Sequence, residues 1–213
     1  MDYRDVLQKM IYVIINPLIR LMIRMGITPN SITTAGLIGN IVAAWLFIEA
    51  AQRLSAAPDT ACALAGWGGA VILFAGLFDM MDGRLARMSG KSSTFGALWD
   101  SALDRYSELI TLGAISILFL RHDDWFWMGV VTFAAMIGSV MVSYVRARAE
   151  GLGIACKVGL MQRPERVVVT AVTAIATGIS GSLWWLAGGM MLIAVLANIT
   201  AFWRLAYCYG VMK

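Results

Sequence analysis

The sequence predicts an all-α integral membrane protein: six transmembrane helices preceded by an amino-terminal amphipathic helix lying in the membrane interface. Three observations carry that expectation. The 213-residue chain is 60% hydrophobic and only 14% charged, with a mean hydropathy of +0.75, whereas a soluble domain carries about 25% charged residues. Its apolar residues fall into six runs, and a span needs about 20 mostly apolar residues. Its 17 Lys and Arg residues gather in alternate breaks between those runs. The length fits one domain, residues 1–213, with a juxtamembrane segment 1–25 and a six-helix core 26–213.

In residues 1–25, Arg4, Lys9, Arg20 and Arg24 alternate with Ile, Leu, Met and Val at roughly helical spacing. That pattern predicts a helix lying in the interface, drawn to anionic lipid; the alternative is an amphipathic helix that packs only on protein. Pro17 is expected to bend or divide it. The segment has no small-residue cleavage site after a clean apolar core, so it does not read as a signal peptide. Gly26–Ser31 reads as a turn in which Asn30 or Ser31 caps the next helix. The six runs then follow at about 32–52, 61–87, 95–120, 125–147, 165–180 and 183–206. An even number of spans puts both chain ends on one side. Only Arg53 and Arg121 fall in the breaks after the first, third and fifth runs, and the other Lys and Arg residues lie on the opposite side. The positive-inside rule therefore places the termini, the break near residue 90 and the 148–164 segment in the cytoplasm.

Cys62, Cys156 and Cys208 are too widely spaced for a zinc or disulfide pattern and read as small apolar fillers. His122, flanked by Arg121, Asp123 and Asp124, reads as a solvated loop residue. The net charge of +4 points to anionic lipid or an anionic substrate, and no nucleic acid is expected as a partner.

Chemistry concentrates between Asp79 and Asp104, in DMMDGRLARMSGKSSTFGALWDSALD. A carboxylate flanked by spanning segments is costly and marks function by default, and here there are four. Asp79 and Asp82 are three apart; Asp100 and Asp104 are four apart. Each pair shares one helical face. The polar Ser89-Gly90-Lys91-Ser92-Ser93 between them reads as a turn. Two antiparallel helices would thus show their carboxylates to each other, an all-oxygen donor set suited to Mg²⁺, Mn²⁺ or Ca²⁺. Small Gly83, Ala86 and Gly96 permit close approach. Together with cationic Arg84, Arg87 and Lys91, the mixture fits a metal-bound, phosphate-bearing substrate.

The spacing of Asp79, Asp82, Gly83, Ala86, Arg87, Gly96, Asp100 and Asp104, D-x2-D-G-x2-A-R-x8-G-x3-D-x3-D, resembles the signature of the CDP-alcohol phosphotransferase family at every position. The resemblance implies a six-helix membrane enzyme, usually a homodimer, that moves a phosphoryl-linked group from a CDP-alcohol to an acceptor hydroxyl and releases CMP. It implies two Mg²⁺ or Mn²⁺ ions on Asp79, Asp82, Asp100 and Asp104, with Asp104 also the general base. It further implies nucleotide and CDP-lipid contacts from Asp82, Gly83, Arg87 and Ser93. The family's similar G-x-T-P-N-x-I-T segment adds Pro29, Asn30 and Thr33, for which simple helix capping is the alternative.

On the cytoplasmic side, Arg146, Arg148, Arg163, Arg166 and Arg204 gather at the ends of the fourth, fifth and sixth runs. Arginine forks bind phosphate bidentately. The stretches Tyr144-Val-Arg-Ala-Arg-Ala-Glu150 and Arg163-Pro-Glu-Arg166 resemble the phosphatidylinositol-phosphate synthase branch of that family. That likeness implies CDP-diacylglycerol as donor, inositol 1-phosphate or another small phosphorylated alcohol as acceptor, and Arg146, Arg166 and Arg204 on the acceptor's phosphate. It also implies a bacterial cytoplasmic (inner) membrane with the site facing the cytoplasm. Alternatives within the family are phosphatidylglycerophosphate and phosphatidylserine synthases. Outside it stand a transporter, which predicts internal repeats that the sequence does not display, and a cation-binding membrane protein without turnover.

Overall fold

The computed structural model describes residues 15–213, and every regular element among them is helical. Residues 15–24, Pro17 among them, are helical and form the described part of helix α1; the rest of the expected interfacial helix, residues 1–14, lies outside the described residues. Ile19 of α1 is fully buried against Ile32, Met81 and Leu85, while Leu18, Arg20, Leu21 and Arg24 are exposed.

Helices α2 (Pro29–Arg53), α3 (Pro58–Ser89), α4 (Thr94–Leu120), α5 (Phe126–Gly151), α6 (Arg163–Ser180) and α7 (Trp184–Met212) follow, with a 3₁₀ turn at Asp123–Trp125. Their bounds track the six apolar runs. The cap of α2 is Thr28, not Asn30 or Ser31: Pro29 fixes the first helical residue, and Thr28 Oγ1 accepts from the Ser31 amide at 3.3 Å. The α3–α4 connection is as short as its polar residues suggest. Gly90 closes α3 in the left-handed region at φ 67°, and Ser93 caps α4 by accepting from the Gly96 amide at 2.9 Å.

Among the described residues, four helical stretches are long and apolar enough to cross a membrane: α2, α3, α5 with its preceding turn (Asp123–Gly151), and α7. Helix α4 falls short because its first half carries Asp100, Asp104, Arg105 and Glu108, and α6 because it opens with Arg163, Glu165 and Arg166. The helices pack in alternating directions around a core that includes Phe47, Ile115, Leu118, Leu186, Met190 and Ile193. Helix α3 lies against α2, which also packs on α4, and against α6; α5 lies against α4 and α7. Helices α3 and α6 cross with backbones almost touching: a Cβ on Gly66 would come 2.7 Å from Gly178 Cα, and one on Gly69 would come 2.6 Å from the Ala171 carbonyl. That crossing sets the antiparallel register that carries the start of α6 to the acidic end of α3.

The connections after α2, α4 and α6 meet at the far end of the bundle. His122 is not merely a solvated loop residue there. Its ring bridges Ser55 Oγ at 3.2 Å and the Ala51 carbonyl at 3.0 Å, tying two connections together. Cys62 and Cys156 are buried and all three cysteines are free thiols.

Candidate active site

The near end of the bundle gathers the starts of α2, α4 and α6 and the ends of α3, α5 and α7. One oxygen each from Asp79, Asp82 and Asp100 lies within 4.8 Å of the others. Three carboxylates so close repel one another unless a cation stands among them. Asp82 is buried, and its orientation is fixed: Thr33 Oγ1 donates to its Oδ2 at 2.6 Å and the Gly83 amide donates to its Oδ1. Asp100 Oδ1 is buried with no hydrogen-bond partner, leaving its lone pairs available to a ligand. The donor set is all oxygen and fits a hard divalent cation.

Asp104 does not join that group. It stands one turn further along α4 and pairs with Arg163, whose Nη2 lies 2.7 Å from its Oδ1, while Arg105 Nη1 lies 3.8 Å from its Oδ2. Through Nη1 the same Arg163 donates to Asp79 Oδ2, also at 2.7 Å.

Two cavities flank the acids. One, of about 220 Å³, is lined by Pro29, Asn30, Thr33, Asp82, Gly83, Ala86, Arg87, Lys91, Ser92, Ser93, Gly96, Ala97 and Asp100. All seven residues expected at a nucleotide therefore meet in one place. A Cβ on Gly96 would sit tight against the cap of α4, 3.1 Å from Ser93 Oγ, and in ordinary contact with Asn30 Oδ1 at 3.5 Å. The Arg87 guanidinium lies over Gly83, within 4 Å of where a Cβ would stand.

The second cavity, of about 280 Å³, lies between α2, α3, α4 and α6. Its polar groups include Asp79, Asp104, Glu108, Arg163 and Arg166, and much of its wall is apolar, with Leu37, Leu73, Met80 and Val168. Of the three arginines expected at a phosphate, Arg166 lines this cavity. It is only 1% exposed, and Glu108 takes it in a fork: Nε donates to Oε1, and Nη2 donates to Oε2 at 2.9 Å. Its Nη1 donates to the Met161 carbonyl at 2.9 Å. Arg204 is buried too, donating from Nε to the Val158 carbonyl at 2.8 Å and from Nη1 to the Val142 carbonyl at 2.6 Å. It straps the 152–162 connection onto α5 and α7, a path that also needs Gly159, which is left-handed at φ 121° and would drive a Cβ to 2.2 Å from Thr200 Cγ2. Arg146 is half exposed and pairs with Glu150 at 2.9 Å. Arg204 lies within charge range of both other arginines, so the three do converge on one end of the bundle.

The sequence profile of CDP-alcohol phosphatidyltransferases matches residues 26–206. The chain belongs to this family. Among relatives, the phosphatidylinositol phosphate synthase of Mycobacteroides abscessus is 32% identical over 196 residues, covering 90% of this chain and 82% of that protein. The archaetidylinositol phosphate synthase of Pyrococcus horikoshii is 34% identical over 178 residues, covering 83% and 80%. The solved structure of the Mycobacterium tuberculosis phosphatidylinositol phosphate synthase with CDP-DAG bound superposes with a TM-score of 0.77 at 29% identity, over 91% of this chain and 92% of that one. The complex of that enzyme with manganese and citrate gives 0.79 at 28% identity, over 91% and 88%.

Two features of this family member's site are not announced by the sequence. Glu108 is one, although Asp100, Asp104 and Glu108 recur every four residues and so share a face of α4. The salt bridges of Arg163 to two of the acids are the other; its place beside Arg166 suggests only a phosphate contact.

Proposed function

We propose that this CDP-alcohol phosphatidyltransferase transfers the phosphatidyl group of CDP-diacylglycerol to inositol 1-phosphate, giving phosphatidylinositol phosphate and CMP. The observation that carries the reading is the placement of the two cavities. One gathers every residue expected at a cytidine diphosphate; the other sets Asp104 and Arg166 on the opposite side of the same acids. The names of the relatives and the CDP-DAG bound to the similar solved structure support the same donor and acceptor.

In this reading Asp79, Asp82 and Asp100 hold divalent cations, Mg²⁺ or Mn²⁺, two per site with Asp104 as a further ligand. When bound, the cations supply charge neutralisation for the diphosphate and for the departing CMP. Thr33 keeps Asp82 turned inward, and Arg87 with Gly83 receives the diphosphate. Asp104 accepts the proton of the acceptor hydroxyl, which must come within about 3 Å. The hydroxyl oxygen bonds to the β-phosphorus as the bond to the bridging oxygen breaks, and that oxygen leaves on CMP. Arg166, supported by Arg146 and Arg204, receives the acceptor's own phosphate. The partly exposed apolar wall at Leu73, Met80 and Val168 admits the diacylglycerol from the inner leaflet.

Helices α4 and α6 span the membrane with the other four, because each runs from the acid end of the bundle to the far end that α2, α3, α5 and α7 also reach. Helix α1 lies in the interface, its exposed Leu18 and Leu21 meeting lipid. Arg53 and Arg121 are the cations of the far-end connections, so the site faces the cytoplasm, in a bacterial inner membrane. The homodimer rests on family resemblance. The deciding assay supplies labelled CDP-diacylglycerol with inositol 1-phosphate, glycerol 3-phosphate, serine or free inositol. CMP release with inositol 1-phosphate alone is the expected result, and turnover of glycerol 3-phosphate or serine in its place overturns the acceptor.

A further inference from the structure

We propose that Arg163 is a positioning residue that competes with a divalent cation for Asp79 and Asp104. On this view, cation binding displaces the guanidinium and releases Asp104 to work on the acceptor. The inference rests on the reading that the aspartates hold metal, and it concerns how that metal is admitted.

Three observations carry it. First, one guanidinium bridges two helices, with Nη1 on Asp79 Oδ2 and Nη2 on Asp104 Oδ1, both at 2.7 Å. Asp79 also belongs to the group of three carboxylates, so Arg163 and a cation would draw on the same acid. The same bridge ties up Asp104, the fourth acid of the cluster. Second, Arg163 is incompletely satisfied, since its Nε is buried without a hydrogen-bond partner. The contrast with Arg166, one turn along α6, is direct: there Nε, Nη1 and Nη2 are all bonded. Arg166 is fixed, whereas Arg163 is held by two acids alone. Third, Arg163 is the first residue of α6 and follows the irregular 152–162 connection, so its side chain can move without unwinding the helix.

A cation and a guanidinium cannot both neutralise the same carboxylate oxygens. An opposite charge at this range shifts a carboxylate's proton affinity by about 1–3 pKa units. Removing the competing guanidinium should strengthen cation binding by at least about tenfold.

The experiment titrates the purified full chain with Mn²⁺ and follows free Mn²⁺ by electron paramagnetic resonance. Arg163→Gln should bind its weaker Mn²⁺ about tenfold more tightly than wild type. Arg105→Gln removes a cation near the same Asp104, but one whose Nη1 donates to the Ser101 carbonyl at 2.6 Å, and it should change affinity far less. Thermal unfolding supplies a second readout: Arg163→Gln should melt below wild type in EDTA, and the gap should close in Mn²⁺. Unchanged or weaker Mn²⁺ binding in Arg163→Gln, an equal gain in Arg105→Gln, or a melting gap that Mn²⁺ does not narrow would each overturn the proposal. Asp82→Asn separates the two readings. If it abolishes Mn²⁺ binding while Arg163→Gln changes nothing, the metal site stands and the competition falls; if wild type binds no Mn²⁺, both fall.

Discussion

Arg166 and Glu108 offer a quantitative test of the site's architecture. They are 1% and 9% exposed, and the carboxylate meets the guanidinium in a fork from α4 to α6. Replacing either partner alone, as Glu108→Leu or Arg166→Met, strands the other charge in the bundle, and breaking a buried pair costs about 3–5 kcal/mol. For a chain of this size, about 2–4 °C of melting temperature accompanies each kcal/mol, so each single variant should lose roughly 6–20 °C. The double variant strands no charge and places two apolar side chains of similar length face to face. Its loss should fall short of the sum of the two singles by about 2–3 kcal/mol. Tryptophan fluorescence during heating in mild detergent reads all four proteins. If the double variant loses the sum of the single losses, to within about 0.5 kcal/mol, the two groups are independent and the pairing that orients Arg166 toward the cavity is wrong.

Four further outcomes follow from the same geometry. Asp79→Asn, Asp82→Asn and Asp100→Asn should each abolish CMP release while the protein remains folded; activity undiminished by EDTA would remove the metal from the mechanism. Arg166→Lys keeps the charge but cannot hold the acceptor's phosphate bidentately, and one charge-assisted bidentate contact is worth about 1.5–3 kcal/mol. Its KM for inositol 1-phosphate should therefore rise roughly tenfold to a hundredfold with that for CDP-diacylglycerol nearly unchanged, and the reverse pattern would misplace the acceptor pocket. In a cysteine-free background, Ala56→Cys and Asp123→Cys should react with an impermeant maleimide from outside the cell and Lys91→Cys only after permeabilisation; the opposite labelling inverts the topology. Chemical cross-linking in mild detergent should trap a dimer, and a monomer alone would count against the homodimer.

Much of this fold is legible in the chain because its signals are local. Apolar runs at 95–120 and 165–180 become helices at Thr94–Leu120 and Arg163–Ser180, since run length and polar breaks are properties of neighbours in sequence. The same holds for Gly90, whose left-handed φ ends α3 where a glycine among polar residues says it should. Helix α7 continues to Met212 because the residues after 206 remain largely apolar and nothing among them breaks the helix. The acidic pairs are legible for a related reason: three- and four-residue spacing fixes a face, and Asp79, Asp82 and Asp100 do converge.

Spacing does not say which helix that face will meet. Asp104 belongs by spacing with Asp100, yet its partner is Arg163, far along the chain on α6. Glu108 extends the same face, yet its meaning comes from Arg166. Both pairings follow from the approach of α6 to α3, and that approach is set at Gly66, Gly69 and Gly178, where side chains would collide with the opposing backbone. From Gly69 to Asp79 is ten residues, and from Ala171 back to Arg163 is eight; at about 1.5 Å per residue these are similar lengths of helix. A contact between glycines near one end of the bundle thus aligns the charges near the other. The charges themselves carry no mark of it, because a glycine that admits a neighbouring backbone is indistinguishable in sequence from one that merely fills a span.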